Sequence, residues 1–291
     1  MHDEVRNGSW TRAPAAGSLG AVTIDYRAQT VLLTGAGSGI GAAFARTLAA
    51  RGANLVLVAR RADRLTSLAD ELRRTTGVRL DVIPSDLSRP GVADELRQAV
   101  TERGIRVTGL INNAAFGSFA PFVELDPDQL SAEVAVNALA PMRLTAAFLP
   151  GMVDAGHGFV INVAGVSAYL PSPRMAVYSA TKAFALSFTE SLWTELRGTG
   201  VTVFAVCPGA TATDFTTGLG PDAAVLTAGK VRTPDDVVTT ALKHLDGRNP
   251  GPVVIDGRAN RLGVLASRLL SRRRSALTMA RVFDPGRAPA R

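Results

Sequence analysis

Short apolar runs recur along this chain, spaced so that a helix fits between each pair. The runs are Val31–Thr34, Leu55–Val58, Leu80–Ile83, Leu110–Ile111, Phe159–Val163, Val201–Val206 and Val253–Ile255. Each is followed by a turn residue and then by a longer amphipathic stretch. The runs are continuous and do not alternate with polar residues, which means strands buried on both faces. Strand and helix in regular alternation predict an α/β fold: a Rossmann-type doubly wound parallel sheet of seven strands with helices on both faces.

The pattern also divides the chain. Residues 1–27 are rich in Gly, Ala, Ser and charge without periodicity and read as a flexible N-terminal extension. Residues 28–257 hold the Rossmann domain. Residues 258–291 read as a basic amphipathic C-terminal helix and tail, with Leu262, Leu265 and Leu269 at helical spacing and Arg261, Arg268 and Arg272 mostly on another side.

Composition changes this picture in two places. The chain has 291 residues, nearly half of them hydrophobic, enough for a full core and against a mainly disordered chain. Its formal charge of +7 is not spread evenly: residues 258–291 carry nine Arg and one Asp, while residues 1–257 carry 23 basic and 24 acidic residues. The charge is therefore a property of the tail. The tail lacks interleaved aromatic residues, which sets nucleic acid aside as a partner. Packing of the tail within the protein or an oligomer is favoured; contact with an anionic membrane surface is the other open reading. The single cysteine, Cys207, forms no intramolecular disulfide, and the histidines His2, His157 and His244 lack metal-ligand spacing. A reducing, cytoplasmic setting with no metal is the expectation. No secretory leader pattern and no apolar run of membrane-spanning length is visible.

The chemistry begins where the first strand ends. Thr34-Gly35-Ala36-Gly37-Ser38-Gly39-Ile40-Gly41 runs from a strand into a helix. Glycines there permit a tight turn and a close approach of backbone to a pyrophosphate, and the helix start supplies N–H donors. The second strand ends Val58-Ala59-Arg60-Arg61, without the acid that binds a ribose 2′-hydroxyl. Two guanidiniums suit a 2′-phosphate instead, so NADP(H) is the expected cofactor. Farther on, Tyr178-Ser179-Ala180-Thr181-Lys182 places a phenol and an ammonium on one helical face. A nearby cation is expected to lower the tyrosine pKa, making Tyr178 a general acid in reduction and a base in oxidation.

The TGxxxGxG spacing and the YxxxK pair resemble the short-chain dehydrogenase/reductase family, in its short single-domain form. The resemblance covers about residues 28–256. It implies that Gly35, Ser38, Gly39, Ile40 and Gly41 cradle the cofactor, with Arg60, Arg61, Asp86 and Leu87 toward its adenosine end. Asn113 and Ala114, from Asn112-Asn113-Ala114-Ala115, would lie along it. Lys182 would bond its ribose beside Tyr178, and Pro208, Gly209, Thr211 and Thr213 would meet the nicotinamide carboxamide. Asn137 matches the helix asparagine that supports a relay water. Relatives of this kind are usually homodimers or homotetramers.

One position departs from the family pattern. A serine is expected thirteen residues before the tyrosine, where it bonds the substrate oxygen, and that position is Gly165. Three readings stay open: Ser167 takes over, the site works slowly without the donor, or the chain binds NADP(H) as a scaffold without turnover. Partial substitution by Ser167 is the preferred reading. The segments Tyr169–Met175 and Phe215–Leu226 are largely apolar, which favours a small hydrophobic carbonyl or alcohol substrate over a sugar.

Overall fold

A computed structural model describes residues 24–227, 231–284 and 286. The expected N-terminal extension lies almost wholly outside the described residues. The strands are β1 (Thr30–Thr34), β2 (Asn54–Ala59), β3 (Leu80–Pro84), β4 (Gly109–Asn112), β5 (Gly158–Val163), β6 (Val201–Cys207) and β7 (Val253–Ile255). They form one parallel sheet in the order β3-β2-β1-β4-β5-β6-β7. The helices are α1 (Gly39–Ala50), α2 (Ala62–Thr75), α3 (Val92–Glu102), α4 (Pro127–Val134), α5 (Ala140–Ala155), α6 (Ala176–Glu195), α7 (Asp214–Gly218), α8 (Pro234–Leu245), α9 (Arg258–Ser267) and α10 (Arg272–Val282).

Alternate residues of each strand feed two cores. Val31, Leu33, Leu55, Leu57 and Ile161 pack with Phe44 and Leu48 of α1, Leu65 and Leu68 of α2, and Val238 and Leu242 of α8. Leu32, Val56, Leu110 and Val160 face the other way, onto Leu96 of α3 and Leu144, Phe148 and Met152 of α5. Both faces are covered, which is why the strands read as continuous apolar runs. Among the described residues no helix is long and apolar enough to cross a membrane.

The tail differs from the single helix expected. It forms two helices, α9 and α10, because Ser271 caps a fresh start by accepting the N–H of Arg274. Leu269, expected to continue the first helix, falls in the connection between them.

Candidate active site

The strand order reverses between β1 and β4, and the crevice at the carboxyl ends of the strands opens there. A cleft of about 770 Å³ occupies it. The residues just after β1 through β6 all reach its lining: Gly35, Arg60, Asp86, Asn113, Gly165 and Pro208.

The glycine turn is built for close approach. Gly35 has φ +67°, in the left-handed region that side chains disfavour. A Cβ on Gly41 would overlap the Gly35 carbonyl and lie 2.7 Å from Asn113 Nδ2. Gly41 therefore lets α1 rest against the end of β1, while Ser38, Gly39 and Ile40 line the cleft. Asn113 fastens this turn across the sheet. Its Nδ2 donates to the carbonyls of Thr34 at 3.0 Å and Gly35 at 3.2 Å. The N–H groups of Asn113 and Ala114 donate to Thr34 Oγ1 at 3.0 and 3.1 Å.

Arg60 and Arg61 stand exposed at the far end of the cleft, with Asp86 and Leu87. The Asp86 carboxyl is held below its ordinary value, first by hydrogen bonds from Ser88, then by the charges of Arg60 and Arg89. Arg61 lies 3.7 Å from Asp214, which also pairs with Arg64. Sequence reasoning missed Arg64: it sits inside α2, and only the fold brings Asp214 beside it.

Tyr178 and Lys182 occupy the first two turns of α6. Lys182 is 3% exposed, donates from Nζ to the Val163 carbonyl at 2.7 Å and lies 5.5 Å from the centre of the Tyr178 ring. Burial pulls its pKa down to about 8. The expected lowering of the tyrosine is not found. Burial, and secondarily the Glu133 carboxyl, push the Tyr178 phenol upward. The reason is geometric: the ammonium is turned to a backbone carbonyl and the ring, not to the phenol oxygen. Tyr178 is thus a protonated donor at neutral pH.

Lys182 also costs stability. Below about pH 8 its buried ammonium is disfavoured relative to the unfolded chain; between about 8 and 10.5 the folded state has shed the proton while the unfolded state keeps it, so stability rises with pH. Lys182→Met is expected to abolish turnover yet raise stability at pH 7 by on the order of 2 kcal/mol, after allowing for the carbonyl left unbonded. Denaturant melts at pH 7 and pH 10.5 check this; a variant less stable than wild type at pH 7 contradicts it.

Asn137 lies in a π-helical turn, Ala135–Leu139, set between α4 and α5. Such turns aim side chains that a regular helix would misplace. Its Nδ2 donates to the Phe116 carbonyl at 2.8 Å and to Thr181 Oγ1 at 3.2 Å, and its Oδ1 accepts the Phe116 N–H at 3.1 Å. It is 2% exposed and ties the loop after β4 to α6. Its side chain lies behind the cleft wall.

Gly165 and Ser167 both line the cleft. Gly165 has φ 162°, an extended backbone that any residue adopts. The next residues make a short 3-10 turn, Val166–Ala168. That turn brings Ser167 Oγ to 3.1 Å from where a Gly165 Cβ would stand. The hydroxyl two residues downstream thus lies beside the place of the missing side chain.

Pro208, Gly209, Thr211 and Thr213 line the cleft beside that turn, the Val166 N–H donating to the Pro208 carbonyl at 2.9 Å. Asn260 of α9 presses on Gly209, where a Cβ would come within 2.5 Å of its amide, and donates to the Asp256 carbonyl at 2.7 Å. Asp256 is fully buried and held by a two-point pair with Arg232 at 2.8 and 2.9 Å. Cys207 is buried, and burial pushes its thiol up to about 11, an inert side chain.

Beyond Tyr178 the cleft becomes an apolar chamber. Phe119, Met175, Phe215, Leu219, Val225, Leu226, Met279 and Phe283 cluster there. Phe215 lies against the Tyr178 ring at 5.1 Å, and Phe283 stacks on Phe119 at 6.3 Å. Sequence reasoning placed Phe215–Leu226 here but missed Met279, Val282 and Phe283, which arrive from α10. Arg174 pairs with Asp222 at 2.9 Å, lies over Phe119 and holds φ +66°. Glu133 was also missed. It is 1% exposed, accepts from Ser118 Oγ at 3.1 Å, and burial raises its pKa. Nothing in the sequence separates it from the surface acids of α4.

The sequence pattern of the short chain dehydrogenase family matches residues 29–224. A short chain dehydrogenase of Pseudocercospora fijiensis is 34% identical over 223 residues, 76% of this chain and 66% of that protein, just under two thirds of its length. Among solved structures, a short-chain dehydrogenase from Sphingobium yanoikuyae in complex with NADPH is 36% identical, with TM-score 0.74, covering 86% of this chain and 95% of that one. The bulky-bulky ketone specific alcohol dehydrogenase from Comamonas testosteroni is 35% identical, with TM-score 0.69, covering 83% and 93%.

Proposed function

The chain belongs to the short chain dehydrogenase family, and from that premise we propose that it is an NADP(H)-dependent oxidoreductase. Its reaction is reduction of a hydrophobic ketone or aldehyde, or oxidation of the matching alcohol. The observation that carries the reading is the position of Tyr178, with Lys182 one turn behind, between a glycine cradle and an apolar chamber.

The cleft fits the cofactor on the chain's own terms. Its turn excludes a Cβ at Gly35 and Gly41, as close approach to a pyrophosphate demands. Arg60 and Arg61 would hold the 2′-phosphate, Asp86 and Leu87 the adenine end, and Asn113, Ala114 and Lys182 the middle. Pro208, Gly209, Thr211 and Thr213 would hold the carboxamide. The NADPH complex of the Sphingobium relative supports this assignment. When bound, NADP(H) supplies or accepts the hydride. Tyr178, whose upward-shifted phenol keeps its proton at neutral pH, gives that proton to the carbonyl oxygen. Ser167 donates a hydrogen bond to the same oxygen. Lys182 holds positive charge behind the phenol, and Asn137 keeps the loop after β4 fixed to α6.

The apolar chamber supports a bulky, lipophilic carbonyl, in keeping with the ketone preference stated for the Comamonas relative. The test is NADPH oxidation against a panel of apolar ketones, aldehydes and quinones. Tight NADPH binding with no turnover on any of them would favour the second reading, a cofactor-binding scaffold, to which Gly165 gives its one support. Charge reversal in Arg60→Asp is expected to lower the ratio of kcat/KM for NADPH over NADH by about 10- to 100-fold. An unchanged ratio would remove Arg60 from phosphate recognition.

A further inference from the structure

Two properties coincide in the tail. Arg258, Arg261, Arg268, Arg272, Arg273, Arg274 and Arg281 are all exposed, and among the described residues none enters a salt bridge. Several arginines of the body, such as Arg46, Arg79 and Arg232, do find carboxylates. Large apolar side chains stand exposed in the same segment: Leu262 at 68%, Leu265 at 57% and Leu269 at 88%, with Leu270, Leu277 and Val282.

On α10 the two properties share one side; on α9 the arginines flank the leucines, Arg261 donating from Nε to the Ile255 carbonyl and Arg268 lying over the Tyr169 ring. On α9, Val264 is buried while Leu262 and Leu265, neighbours at three residues' spacing, face outward. On α10, Ser275 and Met279 turn inward, as does Phe283 just beyond its end, and the last two join the chamber cluster. Leu277 points outward, with Arg273, Arg274 and Arg281 three or four residues away. One helix is therefore both a wall of the chamber and part of the basic, leucine-studded surface.

We propose that α9 and α10 dock on an anionic lipid bilayer, leucines entering the boundary of headgroups and acyl chains and arginines meeting the phosphates. Charge decides the partner. A second copy would bring the same basic segment, net +8 over residues 258–291, against itself. A polyanion such as nucleic acid would satisfy the arginines and leave the leucines in water. An anionic bilayer satisfies both, and stable interfacial binding needs both an apolar and an electrostatic contribution. Docked this way, the chamber wall formed by α10 adjoins the source of lipophilic carbonyls, a consequence that rests on the proposed activity. The docking itself does not.

The experiment is flotation of the full chain with vesicles of phosphatidylcholine alone and of phosphatidylcholine mixed with phosphatidylglycerol, at low and high salt. The chain is expected to float only with the mixed vesicles and less so in high salt. In Leu262→Ser/Leu265→Ser/Leu269→Ser, three exposed positions, the bound fraction is expected to fall about tenfold or more at an unchanged Tm. Turnover of a water-soluble carbonyl, measured separately, keeps this result distinct from the activity. A wild type that does not float, or a triple variant that floats equally well, overturns the proposal. Equal retention of both on heparin would then mark a polyanion site. A dimer that the triple variant breaks, without flotation, would assign the surface to a second copy and overturn it as well.

Discussion

Replacing Tyr178 with Phe is expected to lower kcat/KM for carbonyl reduction by about 10²- to 10⁴-fold while leaving NADPH affinity nearly unchanged. The substitution removes one oxygen and keeps the ring, so the packing against Phe215 and Gly117 survives. What is lost is the proton donor. Cofactor fluorescence reads binding, and absorbance of NADPH reads turnover, so the two effects separate. The pH profile sharpens the test. The phenol is pushed upward by burial and Lys182 is pulled down to about 8, so both carry their protons below that pH. Reduction should run level through neutrality and fall as the pH rises through about 8, where the ammonium behind the phenol is lost. Activity in the Phe variant within a few-fold of wild type would move the proton transfer to another group, and the buried Glu133 would be the next to examine.

The second large effect concerns a hydroxyl that stands in an unexpected place. Ser167→Ala is expected to lower kcat by about 10²- to 10³-fold, the usual cost of one donor to a developing oxyanion. Gly165→Ser introduced into that variant should restore most of the loss. The backbone at Gly165 is extended and accepts any residue, and the one close neighbour of a new Cβ is Ser167 Oγ, which the alanine removes. Measured as a four-member cycle, the two positions should be strongly non-additive, because one hydroxyl site serves both. An unchanged kcat in Ser167→Ala would take the serine out of the mechanism. A loss that Gly165→Ser fails to repair would mean that Ser167 supports the turn and not the substrate.

Much of the fold was legible because the signal was local. The strands are largely apolar runs, and each phosphate-side motif sits at a strand end, so seven strands and the cleft at their carboxyl edge follow from spacing. Features that depend on distant parts of the chain were not legible. Met279 and Phe283 look like ordinary members of a basic tail until α10 is seen to fold back over the chamber. Arg64 reads as a surface arginine of α2, and Arg232 gives no sign of its pairing with buried Asp256. The tyrosine's direction of shift was misjudged for a related reason. Spacing places an ammonium beside a phenol, but it does not reveal that Val163 holds the ammonium or that burial outweighs it.

The contact of Asn260 with Gly209 carries a thermodynamic obligation. The amide of α9 bears on the loop assigned to the nicotinamide end, while the outer side of α9 carries the exposed leucines. If an occupant of that outer side shifts α9, the loop must respond. Linkage then requires reciprocity: whatever factor the occupant imposes on cofactor affinity, the cofactor imposes on the occupant's. Saturation with NADPH would in that case change the chain's partition between water and vesicle.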